Sequence, residues 1–172
     1  MQIRYQTSTL RLEDLPLDVG YASEKVTLEG ASGETFTIGG QNGSTQLIVT
    51  SPFVTDSLVS QLREIDTLLI LNALGGVCKS LVVANAKHGD PQLEEWRYGI
   101  DKEEAFGDYY GIRLAPGELE SELTKALFVI SKDGALFYSE IPDDLDKAFD
   151  TDRAIVKIAA AANCYTGKGC HG

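Results

Sequence analysis

The chain has 172 residues, of which 43% are hydrophobic, so it is long enough to bury a core of its own and most simply forms one domain. It carries 26 acidic residues against 15 lysines and arginines, a formal net charge of −11, which argues against binding to nucleic acid and to anionic membranes. The N-terminal residues lack the apolar core of a signal peptide, and no segment approaches the ~18 apolar residues of a membrane span, so we expect a cytoplasmic protein.

The first part of the chain consists of short strand patterns separated by turns. Residues 25–29 and 35–38 alternate polar and apolar side chains, and the glycines and serine between them predict a turn. A loop of turn-forming residues at 39–44 leads into an apolar segment at 46–50. We therefore expect an N-terminal β-hairpin followed by a buried central strand.

A proline turn connects this strand to an amphipathic helix. Pro52 follows the strand, and apolar residues recur at spacings of three and four over residues 54–69. Thr55 or Asp56 is expected to cap the helix. Residues 81–84 predict a second buried strand, so the three elements form a βαβ unit with parallel strands.

The second part of the chain predicts a strand, two helices and a hairpin. Residues 96–100 favour a strand, and residues 102–110 favour a short helix with an aromatic inner face. Residues 127–139 form the clearest hairpin pattern, because Gly134 supplies the positive φ that a tight turn needs. An apolar pattern then predicts a closing helix that stops near Asn163, with Ile155, Ile158, Ala159 and Ala162 on its inner face.

The order of these elements predicts the fold class. Asp150 or Thr151 can cap the closing helix. Hairpin, βαβ unit, short helix, hairpin and closing helix are the order of a thioredoxin-like α/β fold, with an N-terminal β-hairpin and a central mixed sheet flanked by helices. We expect this domain to span residues 1–163 and to be followed by a cysteine-containing C-terminal tail at 164–172.

Three segments resemble the thiol peroxidase branch of the peroxiredoxins. They are residues 47–52 with Thr55 just beyond, residues 125–138, and residues 140–142. The resemblance covers roughly residues 8–160. It implies a peroxiredoxin-like fold, a homodimer, a thioredoxin-like reductant and no cofactor.

The resemblance also implies a degenerate peroxidatic site at the start of the long helix. In the family, a proline and a threonine precede the peroxidatic cysteine, and an arginine from a neighbouring strand holds the thiolate and the peroxide. Pro52 and Thr55 match the first two residues. Lys125 takes the place of the arginine, but it is a point charge without the bidentate fork.

The position of the peroxidatic cysteine holds another residue type. It falls on Leu58 or Val59, or on Ser57 if the turn is one residue shorter, and a serine hydroxyl without a general base cannot replace a thiolate. Residues 87–95, which correspond to the family's resolving segment, also contain no cysteine. Three interpretations stay open: a fold kept for binding or scaffolding after peroxidase chemistry was lost, a redox function relocated to other cysteines, and a Cys-to-Ser change at position 57.

Two of the three cysteines lie in the last nine residues. Cys164 and Cys170 are separated by a segment with Gly167 and Gly169, which allows the tight turn that a disulfide needs. We expect this pair to carry dithiol/disulfide or peroxide chemistry, with exchange to a partner or to Cys78, unless the two cysteines are incidental at a frayed terminus. Cys78 precedes a predicted strand rather than a helix, so we expect it to be a small, inert residue.

The tail is also a candidate metal site. Cys164, Cys170 and His171 are soft ligands for zinc or copper, and His88 or Cys78 would be a fourth ligand. The spacing matches no structural zinc motif well. Cys170 and His171 resemble the end of a haem c attachment motif, but the first cysteine lies three residues too early, so no cofactor is expected.

The remaining polar groups are expected to be solvated. His88 follows the second strand, where α/β folds place functional groups, but a lone histidine in a loop is more often in contact with water. The carboxylates within residues 118–122 and 143–146 are expected to be exposed charges. Tyr98, Tyr109 and Tyr110 are expected to be core or dimer-face aromatics rather than ligands for a substrate.

Overall fold

A computed structural model describes residues 1–163 of the chain, which form nine strands and three helices. The strands are β1 (Gln2–Tyr5), β2 (Ser8–Arg11), β3 (Val26–Glu29), β4 (Thr35–Ile38), β5 (Gln46–Thr50), β6 (Cys78–Val83), β7 (Trp96–Ile100), β8 (Ala126–Ile130) and β9 (Leu136–Glu140). The helices are α1 (Asp56–Leu71), α2 (Ala105–Tyr110) and α3 (Thr151–Ala162). None of these three helices is long and apolar enough to cross a membrane.

Seven of the strands form one mixed sheet, in the order β4-β3-β7-β6-β5-β8-β9. β5 pairs parallel with β6 and antiparallel with β8, and β6 pairs parallel with β7. Because α1 connects the parallel strands β5 and β6, the predicted βαβ unit is confirmed. The predicted hairpins correspond to β3–β4 and β8–β9, both of which pair antiparallel.

Alternating side chains of the central strands build two cores, one on each face of the sheet. Leu47 and Val49 belong to a cluster with the buried faces of α1 and α3. Ile48, which lies between them, belongs to a second cluster with Phe106 and Tyr110 of α2. The sheet is therefore covered by helices on both faces, as the predicted α/β class requires.

The structure of the β8–β9 turn explains why its sequence predicts a hairpin. Gly134 has φ of +90°, and a Cβ atom at this position would lie 2.7 Å from the backbone nitrogen of Gln41. Glycine is needed both for the dihedral angle and for the close approach of the two backbones.

Two details differ from the prediction. Ala159 and Ala162 were expected on the inner face of α3, but both are half-buried, and Ala154 and Ala161 are the alanines that are fully buried. The sequence pattern also did not predict β1 and β2, which form a separate two-stranded sheet. That hairpin is short, and Ile3 is its fully buried side chain, so the apolar alternation is too brief to recognise.

The topology gives the sheet two distinct ends. We call the edge where β5 and β6 begin the amino end, and the edge where they finish the carboxyl end. β9 runs in the same direction as β5, because both are antiparallel to β8. The backbone nitrogen of Asp150 donates to the carboxylate of Glu140, so α3 starts at the carboxyl end of β9. Since α3 packs along α1, β8 and β9, it runs back over the sheet and finishes at the amino end.

The sheet is open at its amino end on the side of β3. β3 and β7 share one residue pair, Glu29 with Ile100, which lies at the carboxyl end. An open space lined by Thr37, Ile38, Cys78 and Arg97 lies between the β3–β4 hairpin and the starts of β6 and β7.

Candidate functional site

The first turn of α1 has the backbone geometry that the sequence predicts. Thr55 is the N-cap, with φ of −99° and ψ of 163°, and its Oγ1 atom accepts a hydrogen bond of 3.1 Å from the backbone nitrogen of Leu58. Ser51 fixes the preceding turn, because its Oγ atom lies 2.6 Å from the carbonyl oxygen of Phe53 and 3.2 Å from the nitrogen of the same residue. The helix N-terminus is thus well formed and presents its positive dipole end.

The side chains at this N-terminus are not nucleophiles. Leu58 is 3% exposed and belongs to the core between the sheet, α1 and α3. Ser57 is exposed, and within the described part of the chain its hydroxyl has one hydrogen bond, from the Nε2 atom of Gln61 at 3.5 Å. Gln61 is an amide and cannot act as a general base, so nothing in this contact activates the hydroxyl. Val59 is half-buried.

Lys125 lies beside this turn, but its ammonium group is engaged elsewhere. Thr50 pairs with Ala126, so the residue before β8 is next to the end of β5. Lys125 is buried, and its Nζ atom donates a hydrogen bond of 2.6 Å to the carbonyl oxygen of Lys147 and lies 4.8 Å from the centre of the Phe149 ring. Burial lowers the pKa of Lys125, against the opposing effect of nearby carboxylates. The residue therefore ties β8 to the segment before α3.

A polar cluster at the carboxyl end contradicts the expectation that His88 is solvated. The Nε2 atom of His88 lies 2.9 Å from the Oε2 atom of Glu122, and their side chains are 15% and 12% exposed. The Nδ2 atom of Asn85 donates to the other carboxylate oxygen of Glu122 at 2.8 Å, and the Tyr98 hydroxyl donates to the His88 carbonyl at 3.1 Å. Glu122 was expected to be an exposed charge, but these donors hold it in place. Glu122 lies 37 residues from Asn85 and 34 residues from His88, so no local sequence pattern could have identified the cluster.

Cys78 lies at the opposite, amino end of the sheet. It is exposed and is the first residue of β6, which agrees with the prediction of a strand rather than a helix after it. A strand of six residues spans about 16 Å, and His88 follows five residues beyond the end of β6. His88 and Cys78 therefore cannot bind the same metal ion.

An open cavity of about 750 Å³ occupies the space beside Cys78. Its apolar wall consists of Leu69, Ile70, Leu74 and Val77, from the last turn of α1 and the loop after it. The charged side chains around it are Asp66, Lys79, Glu94, Glu95 and Arg97. We call this cavity the Cys78 groove.

The candidate redox and metal residues Cys164, Cys170 and His171 lie outside the described residues. The last described residue, Asn163, is the C-cap of α3 and donates its backbone N–H to the carbonyl of Ala159 at 3.2 Å. Because α3 finishes at the amino end of the sheet, the tail begins at the same end as Cys78. Residues 1–163 contain no group of three or more side chains placed to hold a metal ion.

The similarity of the chain to known proteins extends over nearly its whole length. No family model matches the sequence. The chain is 26% identical to a thiol peroxidase of Campylobacter jejuni, over 98% of each chain. Its fold is similar to that of a peroxiredoxin-like protein from Aquifex aeolicus, with a TM-score of 0.76, 18% identity and coverage of 92% of this chain and 95% of the other. It is also similar to a thiol peroxidase from Chromobacterium violaceum, with a TM-score of 0.74, 16% identity and coverage of 92% and 94%.

These likenesses confirm the thioredoxin-like fold that the order of elements predicts, including the N-terminal hairpin and the mixed sheet. The chain therefore resembles a thiol peroxidase in sequence and peroxiredoxin-like proteins in fold.

Proposed function

We propose that the chain is a thiol-dependent redox protein that uses Cys164 and Cys170 in place of a cysteine at the start of α1. The observation that carries this proposal is the capped first turn of α1, where the candidate peroxidatic positions hold the buried Leu58, the half-buried Val59 and the exposed Ser57 instead of a cysteine. Among residues 1–163, the hydroxyl of Ser57 is hydrogen-bonded to the amide of Gln61 and to no base, so we assign the redox activity to the cysteines. The thiol peroxidase relatives support the choice of redox chemistry.

The reaction requires both thiols of the tail. One thiolate attacks the terminal oxygen of a hydroperoxide, which breaks the O–O bond and gives a cysteine sulfenic acid and an alcohol or water. The second thiol attacks the sulfenic sulfur, forms the disulfide and releases water. Two electrons leave the protein for the peroxide, and a thioredoxin-like dithiol returns them by reducing the disulfide. The homodimer that the resemblance implies is part of the same proposal.

Thiol counting by mass spectrometry tests the proposal. After one equivalent of hydrogen peroxide, the wild-type chain is expected to lose two thiols and to gain one disulfide. The Cys164→Ser and Cys170→Ser variants cannot form this disulfide. The variant that keeps the attacking cysteine is expected to give a sulfenic acid, which dimedone traps, or a mixed disulfide. In the double variant, Cys78 is the remaining cysteine, and we expect it to react slowly. Equal rates of thiol loss in the wild type and in the double variant would refute the proposal.

A second candidate function is binding without catalysis on the same fold. It is favoured by the state of Lys125, whose ammonium group is bound to the Lys147 carbonyl rather than directed at a ligand. In that case all three thiols would react slowly with peroxide in the wild type and in every variant. A metal-binding tail is tested with the same samples, because titration with Zn²⁺ under reducing conditions would protect Cys164 and Cys170 from alkylation.

A further inference from the structure

We propose that the tail, residues 164–172, docks in the Cys78 groove and that Cys78 then forms a disulfide with Cys170 by thiol–disulfide exchange. This inference rests on the proposed function, because it starts from the disulfide between Cys164 and Cys170. It assigns a role to Cys78, for which the sequence alone predicted an inert residue.

The groove has the properties of a docking surface. Ile70 is 79% exposed although it forms part of the apolar wall with Leu74 and Val77. The tail contains Tyr165, an aromatic side chain that can cover such a wall. Covering this apolar wall with a segment of chain removes apolar surface from water, which stabilises the docked state.

The charges of the groove and of the tail are complementary. The groove is lined by three acidic side chains, Asp66, Glu94 and Glu95, and by two basic ones, Lys79 and Arg97. Lys79 pairs with Asp66 at 2.6 Å and lies 4.0 Å from Glu95, and both glutamates are exposed. The tail carries Lys168, together with His171, and no acidic side chain. A tail lying across the groove would therefore bring a cation to an acidic rim.

The length of the tail selects Cys170 rather than Cys164 as the partner of Cys78. α3 packs over β8 and β9, and β6 is two strands from β8, a lateral distance of about 10 Å. The helix layer adds about 10 Å in height, so Asn163 lies on the order of 15 Å from Cys78. Cys164 is one residue from Asn163 and reaches about 3.5 Å, but Cys170 is seven residues away and reaches about 24 Å.

The exchange step needs no further oxidant. The Cys78 thiol loses its proton to solvent, and the thiolate attacks the Cys170 sulfur of the Cys164–Cys170 disulfide. The bond between Cys78 and Cys170 forms as the bond between Cys164 and Cys170 breaks, and Cys164 leaves as a thiolate that takes up a proton. One disulfide is present before and after the step, so the oxidation state of the protein is unchanged.

Disulfide mapping tests the exchange on the full chain. Incubation with oxidised glutathione forms a protein disulfide and two molecules of reduced glutathione, whether or not the protein reacts with peroxide. After alkylation and proteolysis, we expect the Cys78–Cys170 disulfide as the main product and Cys164 as the alkylated thiol. In the Cys78→Ser variant, we expect the Cys164–Cys170 disulfide.

Two surface variants test the docking itself. Ile70→Asp is expected to lower the ratio of Cys78–Cys170 to Cys164–Cys170 disulfide roughly tenfold, because it removes an isoleucine that docking would bury. Val156→Asp is the matched control, since Val156 is 66% exposed on a different helix and does not line the groove. An unchanged ratio in Ile70→Asp would overturn the docking.

The possible outcomes separate the inference from the proposed function. A wild-type chain that contains the Cys164–Cys170 disulfide alone would overturn the inference and leave the proposed function intact. A Cys78–Cys170 bond between two chains, seen as a covalent dimer on a non-reducing gel, would also overturn it, because the groove would then bind a second copy. If the thiols react with oxidised glutathione but not with peroxide, the proposed function is refuted. The ratio of the two disulfides still tests the docking in that case.

Discussion

The Nζ atom of Lys79 lies 2.6 Å from the Oδ1 atom of Asp66, and this ion pair ties the amino end of β6 to the middle of α1. The indole nitrogen of Trp96 donates to the same carboxylate at 3.0 Å, so one acidic side chain connects the helix to two adjacent strands. The pair also forms the floor of the Cys78 groove.

Lys79→Met is expected to lower the free energy of unfolding by about 1–3 kcal/mol, because Asp66 loses a charged partner while it remains partly buried. Lys102→Met is the control, since Lys102 is mostly exposed and its pair with Glu29 spans 3.5 Å. The control is expected to change stability by less than about 0.5 kcal/mol. Urea unfolding measures both, and equal effects would mean that the Lys79 pair is no stronger than a surface pair.

Glu122→Ala tests the polar cluster at the carboxyl end of the sheet. The substitution leaves the Nδ2 atom of Asn85 and the Nε2 atom of His88 without their carboxylate, so we expect a loss of roughly 1–3 kcal/mol in unfolding free energy. Glu120→Ala, an exposed carboxylate two residues away, is expected to be nearly neutral. If the two variants unfold at the same urea concentration, the cluster does not stabilise the fold.

Lys125 is expected to make the free energy of unfolding depend on pH above neutrality. Burial lowers the pKa of Lys125 in the folded state below its ordinary value of 10.5, which it regains on unfolding. Between the two values the unfolded chain binds more protons, so the unfolding free energy rises with pH in this window. Relative to Lys125→Met, the wild type is therefore expected to gain stability as the pH rises toward 10.5.

The comparison with Lys125→Met cancels the titration of groups that both proteins share. Lys147→Met is a further control, because its ammonium group is exposed, and its stability is expected to follow that of the wild type across the same pH range. A difference between wild type and Lys125→Met that does not change with pH would show that this ammonium group remains charged throughout.

Cysteine placed at the start of α1 reports on what remains of the peroxidatic position. In a chain whose native cysteines are replaced by serine, Ser57→Cys is expected to have a lowered pKa, because the helix N-terminus stabilises a thiolate. Iodoacetamide is expected to modify it faster than a cysteine at the exposed, mid-helix position 156. Leu58→Cys is expected to react slowly and to cost about 1–3 kcal/mol in stability, because its side chain is buried. A faster reaction at 58 than at 57 would show that the first turn opens readily.

Much of the fold follows from local patterns in the sequence. Three local signals specify a geometry that is also present in the tertiary structure. They are the alternation at 35–38, the proline turn before α1 and the glycine at 134. The N-cap of α1 is predictable for the same reason, since Thr55 and the nitrogen of Leu58 are three residues apart.

The parts that could not be predicted depend on contacts between distant segments. His88 looks like a solvated loop residue until Glu122 is brought beside it from 34 positions further on. The Cys78 groove is likewise lined by residues of β4, α1, β6 and β7, an arrangement that no single segment encodes. Lys125 lies beside the proline turn, but the sequence could not show that its ammonium group is hydrogen-bonded to the Lys147 carbonyl.

The length of β5 separates two regions of the molecule that carry different chemistry. Its five residues span about 13 Å between the proline turn and the edge where Cys78 lies, and substitutions that far apart are expected to have additive effects on stability. A new reactive group at one edge of this sheet is therefore expected to change the free energy of unfolding by the same amount whether or not the opposite edge is also substituted. Double-variant libraries that combine positions 57–58 with positions 70–78 can therefore be assembled from single-variant measurements.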